Sequence, residues 1–159
     1  MAKAKALPKD GLNSRHILST INKEPDSLGL VLLYGTENYM FEGAVSMLKK
    51  AFLGEGAESM DYSVIDTRTG DKFDIDKLEE YISMPPWMSR KRLVIVKQSG
   101  IVGKELSDRD IEVLKNIPES AVVIFYEESA DSRKKAFKAF FYCSFMCALL
   151  GKIRLLILS

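Results

Sequence analysis

Three runs of nearly unbroken apolar residues dominate the chain: 28–34 (LGLVLLY), 92–96 (RLVIV) and 121–126 (AVVIFY). Each has the length of a strand and lacks polar alternation, the mark of a parallel strand covered on both faces. A weaker strand is expected at 60–66 (MDYSVID), and a further one within 142–150. Between the runs the apolar period changes to that of a helix. Residues 37–53 place Phe41, Ala44, Val45, Leu48 and Phe52 on one face, with Gly54 as the expected stop. Asp74 can cap a helix whose inner face is Ile75, Leu78 and Ile82. Residues 107–116 start with Ser107 and Asp110 at capping-box spacing, and Leu106 and Ile111 stand where a hydrophobic staple would put them. Shorter helices are expected at 14–22 and 132–140, and Pro25 and Asp26 make 23–27 a turn.

Strands that alternate with helices imply βαβ units, so the expected fold is an α/β three-layer sandwich around a parallel sheet. The domain reading is a helix and turn at 1–27, the α/β domain at 28–142, and an atypical apolar tail at 143–159.

Composition narrows the classes. With 159 residues, 47% hydrophobic and 28% charged, the chain suits one globular domain with a real core. A net charge of +1 gives no global field that would gather nucleic acid or anionic membrane. The 2 Cys are too few for a disulfide scaffold, and the basic N-terminus lacks the apolar run of a signal peptide, so a cytoplasmic address is expected. The stretch 140–158 is apolar, but Lys152 and Arg154 break it below the roughly 20 residues of a membrane span. Its want of polar alternation predicts poor packing and self-association.

The first strand, Gly35 and the following helix form the setting of a phosphate-binding loop, GxxxxGK[ST]. With Gly35 in the first position, Met40 stands for the second Gly, Phe41 for the Lys and Glu42 for the Ser/Thr. Met40 lacks the freedom for positive φ, Phe41 cannot neutralise a phosphate, and Glu42 adds a negative charge where phosphate and magnesium would sit. Lys97 and Gln98 follow the second strong strand where a magnesium-holding Asp would stand. The plainer account is that Gly35 only makes a turn. No catalytic residue and no cofactor are expected. His16 is the only His, and Cys143 and Cys147 lack a second ligand pair, so no metal site is expected. Arg133, Lys134, Lys135 and Lys138 form a basic stripe better explained as a solvated face than as a phosphate contact.

Met84-Pro85-Pro86-Trp87-Met88 is barred from helix by its two prolines. Trp87 either projects as a stiffened anchor for a partner or packs under the sheet, and the pattern leaves both open.

Three segments in order, LLYGTENYMFEGAVSMLKKAF, MPPWMSRKRLVIVK and LKNIPESAVVIFYEESADSRKKAFKAF, resemble the N-terminal ATPase-like domain of the delta subunit of the bacterial DNA polymerase III clamp loader. The resemblance implies an AAA+-like fold that neither binds nor hydrolyses ATP, and a replisome subunit that binds and opens the sliding clamp. It places Pro86 and Trp87 at the family's apolar wedge, flanked by Met84 and Met88, which favours an exposed Trp87. The implied partners are the sliding clamp (the beta subunit) and, for a full-length chain, the gamma/tau and delta prime subunits, with DNA contacted indirectly or weakly and no membrane. The family's lid and collar domains are expected to be absent, and the final LLGKIRLLILS departs from the family as a truncated or altered end would. The alternatives are a P-loop ATPase with an aberrant loop and a membrane-associated regulator that uses the apolar tail.

Overall fold

A computed structural model describes residues 19–128 apart from 20, 24, 37 and 71. The elements expected at 132–140 and 142–150, the tail, the basic stripe, His16 and both cysteines lie outside the described residues.

Among the described residues four strands form one parallel sheet: β1 (Leu30–Tyr34), β2 (Tyr62–Asp66), β3 (Arg92–Lys97) and β4 (Ala121–Glu127), in the order β1-β4-β3-β2. Leu30 pairs with Val123, Val94 with Val123, and Ile65 with Val96. The helices are α1 (Asn38–Phe52), the single turn α2 (Glu58–Asp61), α3 (Ile75–Ser83) and α4 (Asp108–Lys115).

Alternation along each strand sends successive side chains to opposite faces. Leu30, Leu32, Val94, Val96, Val123 and Phe125 point to one face, where Leu78 and Ile82 of α3 and Val113 and Leu114 of α4 cover them. Val31, Leu33, Leu93, Ile95, Ile124 and Tyr126 point to the other, where Phe41, Ala44, Val45, Leu48 and Phe52 of α1 cover them. The result is the expected three-layer α/β sandwich. Because both faces are covered, β4 is buried along its whole length. β2 lies at the edge of the sheet among the described residues, and its Val64 is exposed.

The helix starts follow the side chains. The Asp74 carboxylate accepts from the amide of Asp76 at 2.9 Å. Ser107 and Asp110 complete a reciprocal capping box, with Leu106 and Ile111 in the same apolar cluster. One reading needs correction. The segment at 60–66 enters the sheet only at Tyr62, since Met60 and Asp61 complete the α2 turn. Helix α1 closes at Phe52, just before Gly54 as expected, and Gly54 follows it without a positive φ. Glycine is required at 54 because a Cβ there would lie 2.7 Å from the carbonyl oxygen of Met88.

Candidate partner-docking loop and the turn after the first strand

The loop between α3 and β3 carries the Pro-Pro-Trp-Met segment. Met84 caps α3 in extended conformation, and Pro86 is half-buried. Trp87 is 76% exposed, Met88 61% and Met84 39%. The structure thus places these four residues on one short loop, with three of the side chains in solvent and Trp87 the most open of them. An indole left this open is unusual, because large apolar side chains ordinarily go inside.

The backbone beneath them is tied down at several points. The Asp61 carboxylate, wholly buried, accepts from the amide N–H of Trp87 at 2.6 Å through Oδ1 and from that of Met88 at 2.8 Å through Oδ2. Arg92 at the start of β3 lies with Nη2 at 3.7 Å from Asp61 Oδ1, and its Nε donates to the Met84 carbonyl at 3.1 Å. The amide of Gly54 donates to Ser89 Oγ at 3.1 Å, and the amide of Arg90 donates to the Phe52 carbonyl at 2.9 Å. Arg90 also pairs with Asp26, and Lys91 Nζ donates to the carbonyls of Asp26 and Leu28. Burial alone would raise the Asp61 pKa. The donors on Trp87, Met88 and Ser89 outweigh that and hold it below the ordinary Asp value.

No local pattern points to Asp61. Its partners are 26 and 27 residues away along the chain, and its neighbourhood alternates like a strand. The one available signal is an acidic residue beside an apolar run, which is common in sequences without any such role.

The second candidate region lies at the C-terminal ends of β1 and β4, where open α/β sheets hold their ligands. Gly35 leaves β1 with φ 140° and donates to the Glu127 carbonyl at 3.0 Å. Met40 lies in the first turn of α1. Phe41 does not face a phosphate position: it is buried and stacked on Tyr126, ring centroids 4.1 Å apart and 14° from parallel. The Tyr126 hydroxyl approaches the Gly35 carbonyl at 3.3 Å and Asn38 Oδ1 at 3.1 Å. Glu42 is exposed and pairs with Lys97 Nζ at 3.5 Å. That ammonium also stands 5.1 Å from the Phe41 ring centre, a cation–π distance. An aromatic stack and an ion pair therefore engage Phe41 and Glu42.

Beside them Glu127 is buried and accepts from the Ser99 hydroxyl and the Gly100 amide. Burial pushes its pKa up, and these donors only partly reverse the shift. Gln98 follows β3 with φ 54°, and its Oε1 accepts from the Glu128 amide at 3.2 Å. Among the described residues there is no group of three or more His, Cys, Asp or Glu placed to hold a metal. No helix among the described residues is long and apolar enough to cross a membrane.

Comparison with known proteins adds the lineage. The family model described as DNA polymerase III, delta subunit, matches residues 31–146. No curated protein matches the chain. Among solved structures, the Bacillus subtilis DNA clamp loader delta protein superposes with a TM-score of 0.69 at 19% identity, over 91% of this chain and 42% of that one. A DNA polymerase III gamma subunit-related protein from Thermotoga maritima gives 0.51 at 14% identity, over 92% of this chain and 45% of that one. At such identities the likeness is one of fold. The chain spans less than half the length of either of these proteins.

Proposed function

The chain belongs to the DNA polymerase III delta-subunit family, and on that premise we propose that it is a docking module for the ring-shaped sliding clamp, without nucleotide hydrolysis of its own. Trp87 and Pro86 form the wedge that enters an apolar pocket on the clamp, and Met84 and Met88 are its adaptable neighbours. Seating the wedge biases one interface of the ring toward opening. Energy from ATP is supplied by sibling clamp-loader subunits of the gamma/tau and delta prime kinds, and DNA is contacted indirectly or weakly. The protein then acts at the cytoplasmic replisome.

The observation that carries this reading is the 76% exposure of Trp87 on a loop whose backbone is anchored to the core. Binding hot spots are enriched in Trp, and a preordered anchor loses little entropy on docking. The second region supports the non-catalytic half of the reading, because Phe41 is committed to the core and Glu42 to an ion pair.

Calorimetric titration of the full chain into a purified bacterial sliding clamp tests the proposal. Saturable binding is the expected result. Absence of heat and of co-migration at tens of micromolar, on the order of −6 kcal/mol of affinity, would refute it.

A further inference from the structure

The exposed wedge sits on a buried charge. Asp61 is 0% exposed, yet its two oxygens each take one N–H from the adjacent residues Trp87 and Met88. Arg92, also buried, approaches the same carboxylate and holds the Met84 carbonyl on the other side of the prolines. The two ends of the Met84–Met88 segment thus meet one buried ion pair. Such a pair is an expensive way to gain stability, since desolvation cancels much of the attraction. Two consecutive N–H groups aimed at one carboxylate do, however, fix the backbone direction from which the Trp87 side chain leaves. The prolines set φ on the near side, and the carboxylate sets the far side.

We propose that Asp61, with Arg92, is a positioning residue: its carboxylate holds the Trp87-Met88 backbone in the docking-competent conformation before any partner arrives. This rests on the clamp-docking reading, to which it adds the cause of the wedge's preorganisation. The thermodynamic consequence is direct. If the competent conformation falls from nearly all to about one tenth of the population, the apparent Kd rises about tenfold with the contacts themselves unchanged.

The test has an arm that needs no substitution. In the unmodified chain, the amides of Trp87 and Met88 should be protected from hydrogen exchange, although they flank the most open large side chains of the loop. Exchange at the rate of an unstructured loop overturns the proposal. The second arm uses Asp61→Asn, which keeps the shape, leaves one acceptor oxygen and turns an NH2 toward the other N–H. The sequence has 1 Trp, so tryptophan emission reports on Trp87 alone. At a temperature where circular dichroism shows the variant folded, its fluorescence anisotropy should gain a fast nanosecond component, and clamp affinity should fall about tenfold. Unchanged anisotropy and affinity in the folded variant mean that Asp61 is only a structural acid, and the proposal fails. If Asp61→Asn does not fold at any usable temperature, the exchange arm decides alone.

Trp87→Ala separates this inference from the reading it rests on. If that change leaves clamp affinity intact, the docking assignment is wrong, whatever the amides do. If it weakens binding while Asp61→Asn does not, only the positioning claim falls.

Discussion

Replacing Trp87 by Ala should separate binding from stability, and the structure supplies both magnitudes. A tryptophan offers about 200 Å² of burial. With 76% of it open, about 150 Å² is free for a pocket, an apolar gain near 3.8 kcal/mol at about 25 cal/mol per Å². Ordering the loop and partner side chains removes part of that, leaving about 2–3 kcal/mol. Clamp affinity should therefore fall about thirtyfold to a hundredfold, at 1.4 kcal/mol per decade. The remaining quarter of the indole covers about 50 Å² of the protein's own surface, which bounds the stability loss near 1.2 kcal/mol. That corresponds to a melting shift of roughly 5 °C or less in a domain of this size. A core Trp would behave oppositely and cost about 3–5 kcal/mol. Titration calorimetry and differential scanning calorimetry on one preparation measure both quantities. A variant that loses the stability of a core residue and keeps its clamp affinity refutes the argument.

Phe41→Ala should destabilise by about 3–5 kcal/mol in urea denaturation, because it empties a buried site and removes the stack on Tyr126; a loss under about 1 kcal/mol would show that the stack is not part of the core. The unaltered chain should bind neither ATP nor GTP in the presence of magnesium, and calorimetry that finds micromolar, magnesium-dependent binding contradicts this. Glu127→Gln should stabilise the protein at neutral pH. Burial raises the folded-state pKa of Glu127, so between the ordinary carboxylate range and that raised value the folded state holds the extra proton and the wild type loses stability as pH climbs. The melting advantage of the variant should grow from pH 4 to pH 7, and a flat or shrinking difference would show that the carboxylate is not penalised by burial. Gly54→Ala should cost about 1–3 kcal/mol and shift the Trp87 emission, because its methyl meets the Met88 carbonyl; unchanged emission would mean that the loop does not depend on that close approach.

The parts legible in the sequence are those governed by neighbouring residues. The apolar runs announce β1, β3 and β4 because strands buried on both faces need no polar alternation. Ser107 and Asp110 announce the start of α4 because a capping box closes within four residues. Phe41 lies inward, as its place on the α1 face requires. Legibility ends where the cause lies far away in sequence. Whether Trp87 projects or packs cannot be read from Pro-Pro-Trp-Met, since the deciding contacts are to Asp61, Phe52 and Gly54. The glycine at 54 resembles a helix stop, and only the folded chain brings Met88 against it. Asp61 is hidden for the same reason, and its helical turn is why β2 begins later than the alternation suggests.

The strand order has a consequence for synthesis. β1 pairs with β4 and with no other strand among the described residues, so its LVLLY run has no partner until residues 121–127 have been made. Roughly 90 residues separate the paired strands, on the order of 5–20 s of translation at about 5–20 residues per second. Throughout that interval a fully apolar strand and the apolar face of α1 must wait on the ribosome, and non-local parallel pairing is itself slow. Holdase binding during translation should therefore concentrate on residues 28–53, and it should end when β4 emerges rather than when α1 does.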